Sequence, residues 1–338
     1  MKIRLKKVSD QIIVITGATS GIGLTTARQA AERGAKIVLV ARNEDALKQL
    51  TFELSKKGSE AIYVVADVGI EEDVRRVAQA AIERFGGFDT WVNNAGVAIF
   101  GRNEDVSVED QHRLFQTNFW GVVYGSLIAA EHLKQRGGAL INLGSEVSDC
   151  ALPLQGIYSA SKHAVKGFTD SLRMELEAEQ APIAVTLIKP AAVDTMFVEH
   201  AKNYLEVEPR LPPPVYAPEV VANAILHAAE HVERDIFVGA AAKLISSTAY
   251  YAPRMLDRYM RRFLLKQQKS DMPARNRAQH SLYGPGPDLL ERPGYRGGVL
   301  ESSLYTKAAT HPKTAMSLLL GAGIALMALW RLRQRPAV

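Results

Sequence analysis

One stretch near the amino end determines the fold class: Gln11-Ile-Ile-Val-Ile-Thr16, followed by Gly17-Ala-Thr-Ser-Gly21-Ile-Gly23. The first part is a β-branched run typical of a buried strand, and an apolar, helix-periodic pattern follows the glycines as far as Gly34. A strand, a glycine-rich turn and a helix direct backbone N–H groups and a helix N-terminus at a pyrophosphate. The stretch therefore predicts a dinucleotide turn, and a glycine-rich turn in some other α/β protein is the alternative.

Strand-like and helical patterns alternate along the rest of residues 1–240. With the first strand, seven strands are predicted, the others at Lys36–Val40, Ala61–Asp67, Thr90–Asn93, Ala139–Leu143, Ile183–Ile188 and Asp235–Val238. The helical patterns cover Asn43–Lys57, Ile70–Phe85, Val108–Arg136, Ile157–Ala178 and Pro218–His231. Such alternation predicts right-handed crossovers and a parallel sheet that is covered on both faces. The 338 residues are 47% hydrophobic, which is ample for one large core or two small ones.

A second signal is the pair Tyr158 and Lys162, which are four residues apart and share one face of a predicted helix. A free phenol titrates near ~10 and exchanges protons poorly at neutral pH. A nearby ammonium favours the phenolate, so we expect Lys162 to lower the pKa of Tyr158 and make it a general acid and base. An ordinary amphipathic helix is the alternative.

Taken together, these motifs resemble the short-chain dehydrogenase/reductase family over roughly residues 8–240. Thr16-Gly17-x-x-x-Gly21-Ile22-Gly23 is that family's form of the dinucleotide turn, and Asn93-Asn94-Ala95-Gly96 follows the fourth predicted strand as in the family. Four residues match the family's catalytic set: Asn118, Ser145, Tyr158 and Lys162. The resemblance implies an α/β, Rossmann-type doubly wound sheet with seven parallel strands, followed here by a helical and irregular C-terminal extension.

The resemblance also implies a set of cofactor contacts. They are Gly17, Thr19, Ser20, Gly21, Ile22, Gly23, Asp67, Val68, Asn94, Ala95, Gly96, Tyr158, Lys162, Pro190, Val193 and Thr195. Asp67 and Val68 correspond to the adenine contact, and Thr195 stands where the family has a pyrophosphate ligand. In one departure, Ala191 replaces the family's usual glycine, so we expect a small, tolerated shift of the turn beside the nicotinamide.

The choice of cofactor follows from the end of the second strand. NAD-binding turns usually have an acidic residue there, which bonds the ribose 2′-OH. This chain has Ala41 and Arg42 instead. The carboxylate that would repel a 2′-phosphate is missing, and Arg42 offers a charged fork that suits the phosphate. We therefore predict NADP (NADPH), and a solvent-exposed arginine at a helix start is the alternative.

The family's chemistry assigns a role to each catalytic residue. Ser145 would hydrogen-bond the substrate carbonyl, and Tyr158 would transfer the proton. Lys162 would also bind the nicotinamide ribose, and Asn118 would hold a water linked to Lys162. The resemblance implies a pocket lined by Val97, Phe100, Val147, Leu152, Met196, Phe197 and Tyr204, which favours a small hydrophobic carbonyl or alcohol substrate.

Other functions are alternatives to an NADP(H)-dependent oxidoreductase. An NAD-dependent alcohol or hydroxysteroid-type dehydrogenase is the first. A non-catalytic dinucleotide-binding sensor is the second, but such a protein would typically lack Tyr158 or Lys162. No metal site is expected, because the eight histidines show no ligand spacing and Cys150 is the single cysteine.

The C-terminal third is basic. From Tyr251 onward there are 15 Lys/Arg and 5 Asp/Glu, whereas residues 1–250 carry a net charge of −5. No recognition motif accompanies the basic residues, so nucleic acid is not expected as a partner. Residues 1–240 read as the catalytic domain, 241–270 as basic amphipathic helices, 271–313 as an irregular arm and 314–332 as an apolar helix. The amphipathic helices fit a membrane interface or packing on the core or on a second subunit.

Ala315–Trp330 contains sixteen residues without a charge. At ~1.5 Å per residue they extend roughly 24 Å, which is shorter than the ~30 Å hydrocarbon core. Three arginines follow, and their translocation would oppose the positive-inside tendency. A strained span, an in-plane anchor and packing against another subunit all stay open. We expect membrane association through the C-terminus on the cytoplasmic side, since Met1–Lys7 lacks the apolar region of a signal peptide, and a homo-oligomer.

Overall fold

Seven parallel strands form the central sheet of the computed structural model, which describes residues 3–275, 280–286 and 288–311. The strands are β1 Ile12–Thr16, β2 Lys36–Ala41, β3 Ala61–Val65, β4 Thr90–Asn93, β5 Gly138–Leu143, β6 Ile183–Pro190 and β7 Asp235–Val238. Their spatial order is 3-2-1-4-5-6-7. The order reverses between β1 and β4, and in such sheets ligands bind in the crevice at the carboxyl ends of the strands. The predicted fold class is confirmed.

Helices cover both faces of the sheet. The first nine are α1 Gly21–Glu32, α2 Glu44–Lys56, α3 Glu71–Phe85, α4 Val108–Phe115, α5 Gly121–Arg136, α6 Gly156–Ala178, α7 Phe197–His200, α8 Pro218–Glu230 and α9 Ala240–Tyr251. Helices α1, α2 and α8 pack on one face, and α3, α5 and α6 pack on the other. Ile13, Val14 and Ile15 of β1 are therefore fully buried, which explains the unbroken apolar strand in the sequence.

The pattern over Val108–Arg136 was expected to form one helix, and the structure divides it. A π-helical turn, Gln116–Trp120, lies between α4 and α5. Such turns are rare and occur often at functional sites. The turn carries Asn118, one of the four residues of the catalytic motif.

The region after β7 folds back onto the catalytic core. It contains α9, α10 Pro253–Tyr259, a π-helical turn Met260–Leu264 and α11 Leu265–Gln267. Leu256, Met260 and Leu264 join the same apolar cluster as Val147 and Tyr158. These helices therefore extend the core next to the carboxyl ends of the strands.

The segment predicted as an irregular arm has regular structure within its described residues. Lys269–Pro273 pairs with Val207–Pro209, and Val299–Leu300 pairs with Val215–Tyr216. Helix α12, Leu304–Thr310, then packs near β7 and α8. Along the described chain, no helix combines the length and apolar character that a bilayer span needs. The predicted apolar helix at 314–332 lies outside the described residues.

Candidate active site

The glycine turn after β1 is held in a conformation that only glycine tolerates. Gly17 has a φ of +66°, and a Cβ added to Gly23 would lie 2.0 Å from the carbonyl oxygen of Gly17. Asn94 Nδ2 donates to the carbonyl oxygens of Thr16 at 2.9 Å and of Gly17 at 3.2 Å. The loop after β4 therefore fixes the turn from behind, and the N-terminus of α1 faces the crevice.

Two adjoining cavities occupy this crevice. The nicotinamide-side cavity, of about 210 Å³, is lined by many of the predicted residues: Gly17, Ser20, Gly21, Ile22, Asn94, Ala95, Gly96, Ser145, Tyr158, Lys162, Pro190, Val193 and Thr195. The adenosine-side cavity, of about 100 Å³, adds Thr19, Arg42, Asp67 and Val68. Of the predicted site residues, Gly23 and Asn118 line neither cavity. Gly23 supports the turn instead, and Asn118 lies behind the site.

Tyr158 sits on the first turn of α6 and is buried. Burial raises the pKa of Tyr158 above its ordinary value, a hydrogen bond with the Ser145 side chain lowers it, and the nearby Glu146 carboxyl raises it. The ring of Phe197 packs edge-on against the phenol, with 5.2 Å between centroids. Ser145 itself begins a 3₁₀ turn, where its Oγ accepts from the Val147 N–H at 3.3 Å.

Lys162 lies one helical turn after Tyr158, at the floor of the same cavity. Its Nζ donates to the carbonyl oxygen of Leu143 at 2.7 Å and lies 5.8 Å from the centroid of the Tyr158 ring. Burial lowers the pKa of Lys162 to about 8. The expectation that Lys162 lowers the pKa of Tyr158 is therefore wrong for this structure. Desolvation of the phenol prevails, and the buried ammonium is itself weakened by desolvation.

Asn118 is fully buried and connects the π-helical turn to the loop after β4. Its Oδ1 accepts from the Val97 N–H at 2.8 Å, and its Nδ2 donates to the Val97 carbonyl oxygen at 2.9 Å and to Ser161 Oγ at 3.3 Å. Both ends of the amide thus hold Val97. The water-holding role expected for Asn118 stays a prediction.

Arg42 lies at the predicted position beside the adenosine-side cavity. Its Nη2 donates to the carbonyl oxygen of Ser281 at 2.6 Å, whereas its Nη1 is buried without a hydrogen-bond partner in the described part of the chain. Burial lowers the pKa of Arg42. Asp67, on the same cavity, is paired with Arg113. Because buried donors are normally satisfied, the free Nη1 fits an anionic group of a ligand such as a 2′-phosphate.

The departure at Ala191 is accommodated. Ala191 packs among buried Tyr216 and Ala242, and its N–H donates to the Val238 carbonyl oxygen at 3.0 Å. A few residues on, Thr195 closes over the glycine turn, since a Cβ on Gly21 would lie 2.9 Å from Thr195 Cβ. Turn and threonine therefore meet where a pyrophosphate is expected.

The predicted substrate-lining set is correct only in part. Val147, Leu152, Met196 and Phe197 line the nicotinamide-side cavity. Val97 lines the adenosine-side cavity instead, and Phe100 is fully buried behind Phe197. The Tyr204 hydroxyl is hydrogen-bonded to Asp110 and Ser107. Apolar residues in loops pack or line a pocket according to long-range contacts, which the local sequence does not contain.

An apolar cavity of about 400 Å³ adjoins the nicotinamide side and was not predicted. Its walls come from the 3₁₀ turn, the proline-rich loop and the C-terminal helices: Glu146, Leu152, Ala192, Pro212, Pro213, Pro214, Ala241, Leu244, Ile245, Thr248, Met255, Leu256, Tyr259 and Leu264.

Glu146 lines both the apolar cavity and the nicotinamide-side cavity. Burial raises its pKa to about 7, and its carboxyl has no hydrogen-bond or ion-pair partner among the described residues. The sequence signal that could have predicted this buried carboxyl is a charged residue directly after Ser145. Within the described residues, no group of three or more His, Cys, Asp or Glu is arranged to hold a metal ion.

Known proteins resemble this chain in sequence and in structure. A family model described as short chain dehydrogenase matches residues 11–205. The uncharacterized oxidoreductase YxnA of Bacillus subtilis (strain 168) is 50% identical over 323 residues, which are 95% of this chain and 91% of YxnA. The 11-beta-hydroxysteroid dehydrogenase-like 4A of Arabidopsis thaliana is 40% identical over 191 residues, 56% of this chain and 63% of that protein.

Two solved structures share the architecture. An alcohol dehydrogenase from the archaeon Thermococcus sibiricus, complexed with 5-hydroxy-NADP, has a TM-score of 0.59 and 29% identity and covers 67% of this chain and 95% of its own. A short chain dehydrogenase from Burkholderia cenocepacia J2315, in complex with NADP, has a TM-score of 0.64 and 26% identity and covers 75% and 99%. This chain belongs to the short-chain dehydrogenase/reductase family and is an oxidoreductase of that family.

Proposed function

We propose that this protein is an NADP(H)-dependent oxidoreductase that transfers a hydride between the nicotinamide and a carbonyl or alcohol group of a hydrophobic substrate. One observation carries the proposal. Tyr158 and Ser145 line the nicotinamide-side cavity, and this cavity shares Glu146, Leu152, Ala192 and Pro212 with an apolar cavity of about 400 Å³. A substrate in the apolar cavity would thus present its reacting carbon to both the cofactor and the phenol.

The chain's own residues handle the proton and the charge. The bound nicotinamide supplies or accepts the hydride. Ser145 hydrogen-bonds the substrate oxygen and stabilises the charge that develops on it. Tyr158 donates the proton in reduction and takes it in oxidation. The raised pKa of Tyr158 keeps the phenol protonated, which is the form that reduction requires.

Lys162 and Asn118 support this arrangement from behind. Lys162 offers an ammonium to the ribose of the cofactor, and the Leu143 carbonyl oxygen orients it. Asn118 acts as a positioning residue, because its amide holds Val97 beside the cofactor loop. We also propose that Asn118 holds a water that is linked to Lys162.

The preference for NADP(H) rests on Arg42. Arg42 Nη1, which has no hydrogen-bond partner in the described part of the chain, provides a buried, charged donor, and the strand end beside it has no carboxylate of its own to repel a phosphate. The names of the two structural neighbours, which are complexes with 5-hydroxy-NADP and NADP, support this choice.

A fluorescence titration of NADPH and NADH tests the cofactor assignment. We expect tighter binding of NADPH, and Arg42→Ala should reduce the difference between the two cofactors by about 10- to 100-fold, as expected for a lost charge-assisted hydrogen bond. Arg33→Ala is the matched control, because Arg33 is exposed at the C-terminal end of α1 and donates to Asn223 of α8. Wild-type protein that prefers NADH would refute the assignment.

A hydroxysteroid-type dehydrogenase is the second candidate. The apolar cavity favours it, as do several relatives whose names contain 11-beta-hydroxysteroid dehydrogenase. Measuring turnover of steroid ketones and alcohols beside short ketones, aldehydes and quinones distinguishes this candidate from the first one. Turnover confined to steroids would select this second function.

We also propose that the protein associates with the cytoplasmic face of a membrane. Helices α9 and α10 and the following π turn expose large apolar side chains to solvent: Leu244, Tyr250, Tyr251, Met255, Tyr259 and Phe263. Exposed arginines and a lysine lie among them: Arg254, Arg258, Arg261, Arg262 and Lys266. Such a surface suits an anionic membrane interface. Leu244, Met255 and Tyr259 of this surface also line the apolar cavity, so a lipophilic substrate would enter from the bilayer.

We further propose a homo-oligomer. Large apolar side chains are exposed on the π-helical turn between α4 and α5, on α5 and on α6: Trp120, Leu127 and Met174. Light scattering measures the mass of the particle, and a monomer at micromolar concentration would contradict the proposal.

A further inference from the structure

Three buried polar atoms that have no hydrogen-bond partner among the described residues belong to residues that line the adenosine-side cavity. They are Arg42 Nη1, Thr117 Oγ1 and Ser281 Oγ. Buried polar atoms in folded proteins are nearly always hydrogen-bonded. Each of the three atoms has almost no solvent-accessible area, so a polar ligand in the cavity would reach it after a small rotation of its side chain. Arg42 and Thr117 belong to the catalytic domain, but Ser281 comes from the C-terminal arm.

The arm is firmly docked around Ser281. The Ser281 N–H donates to the His200 carbonyl oxygen at 2.8 Å, and its own carbonyl oxygen accepts from Arg42 Nη2 at 2.6 Å. The next residue, Leu282, is 0% exposed, and its carbonyl oxygen accepts from Arg113 Nε at 3.0 Å. One residue further, the Tyr283 hydroxyl donates to Asp110 at 2.7 Å. Ser281 is therefore fixed at the cavity by its own backbone and by the two residues that follow it.

A second part of the arm holds the glycine turn. The Leu289 N–H donates to the Thr19 carbonyl oxygen at 2.7 Å, and the Gly21 N–H donates to the Leu290 carbonyl oxygen at 3.0 Å. Beside this pair, Glu291 forms an ion pair with Arg28 of α1 at 2.6 Å. The arm thus runs along the outer edge of the dinucleotide crevice and contacts both the turn and Arg42.

We propose that the C-terminal arm is part of the cofactor site and that the Ser281 hydroxyl, beside Arg42, donates a hydrogen bond to the 2′-phosphate of NADP(H). The inference rests on the proposed NADP(H) function and extends it. Asp288 of the arm lines the same cavity, and Asp67 is already neutralised by Arg113. The nearby charges therefore largely balance, so oriented donors, not net charge, discriminate between the phosphate and a hydroxyl.

The test is a titration of the full chain with NADPH and NADH, followed by cofactor fluorescence. Ser281→Ala should raise the Kd for NADPH about tenfold, as expected for one hydrogen bond to a charged group, and change the Kd for NADH by less than about twofold. Ser302→Ala is the matched control, because Ser302 lies on the arm and is exposed. Ser281→Cys keeps nearly the same volume but weakens the donor, and it should show the same selective loss if the alanine variant folds poorly.

The possible results distinguish a failure of the arm's role from a failure of the cofactor assignment. If the wild type prefers NADPH and Ser281→Ala leaves the ratio of the two Kd values unchanged, the role of the arm is refuted and the cofactor assignment stands. An equal loss for both cofactors refutes it too, since Ser281 would then act on folding alone. A wild type that binds NADH as tightly as NADPH overturns both. Hydrogen exchange of residues 280–286 should slow more with NADPH than with NADH, and equal protection counts against the proposal.

Discussion

The buried carboxyl of Glu146 makes a quantitative prediction about stability. Burial raises its pKa from 4.5 to about 7. At about 1.4 kcal/mol per pKa unit, the ionised carboxylate costs the folded state about 3 kcal/mol relative to its protonated form. Below pH 4.5 the residue is protonated in both states and has no effect. Between pH 4.5 and 7 the unfolded chain loses the proton first, so stability falls as the pH rises, and above 7 the full cost applies.

Glu146→Gln removes this titration. We expect the variant to gain stability relative to the wild type as the pH rises from 5 to 8, by up to about 3 kcal/mol. The assay is urea denaturation at both pH values, followed by tryptophan fluorescence. Any pH-independent effect of the glutamine amide on stability appears equally at both pH values, so it cancels when the two are compared. The exposed Glu177→Gln provides the control and should show no such change. A difference between Glu146→Gln and wild type that is equal at pH 5 and pH 8 would refute the reasoning.

Three further predictions address the turn, the lysine and the tail. Gly23→Ala should abolish NADPH binding in an equilibrium titration, because the added Cβ would lie 2.0 Å from the Gly17 carbonyl oxygen. Gly167→Ala is the control: it lies in open space on α6, and alanine there should raise the free energy of unfolding by up to about 1 kcal/mol. NADPH affinity should weaken as the pH rises past about 8, where Lys162 loses its proton, and Lys162→Ala should bind weakly without that dependence; a flat wild-type profile would count against ribose binding by Lys162. The full chain should sediment with anionic vesicles and resist high-salt extraction, while a chain ending at residue 312, which keeps α9 and α10, should be released by high salt and still bind NADPH; full-length protein that remains soluble without detergent would mean that the tail packs on protein.

Local signals were enough to predict the sheet and the position of the site. The β-branched run Ile12–Thr16 and the glycines after it specify a strand and a turn within a dozen residues. Tyr158 and Lys162 share a helix face, so their proximity follows from the helical repeat alone. Topology then brings the carboxyl ends of the strands together, and with them Ser145 and the loop at Asn94.

The features that the sequence did not predict depend on contacts distant in the chain. Leu289 bonds Thr19, and Ser281 contacts Arg42, across more than 200 residues. No local pattern in the arm indicates that docking. The pKa of Tyr158 was predicted with the wrong sign because spacing reveals a neighbouring ammonium but does not reveal burial. Spacing also does not reveal which loop residues are packed away from the cavity, so the sequence wrongly places Phe100 and Tyr204 in the pocket.

The central claim is that Tyr158 transfers the proton in an NADPH-dependent reduction. The most direct test measures NADPH oxidation with a hydrophobic ketone that the wild-type enzyme accepts, and compares Tyr158→Phe at equal cofactor saturation. Because only the hydroxyl is removed from a ring that packs against Phe197, the variant should bind NADPH with nearly unchanged Kd and show no measurable turnover. Substantial turnover by Tyr158→Phe, on any accepted substrate, would contradict the account.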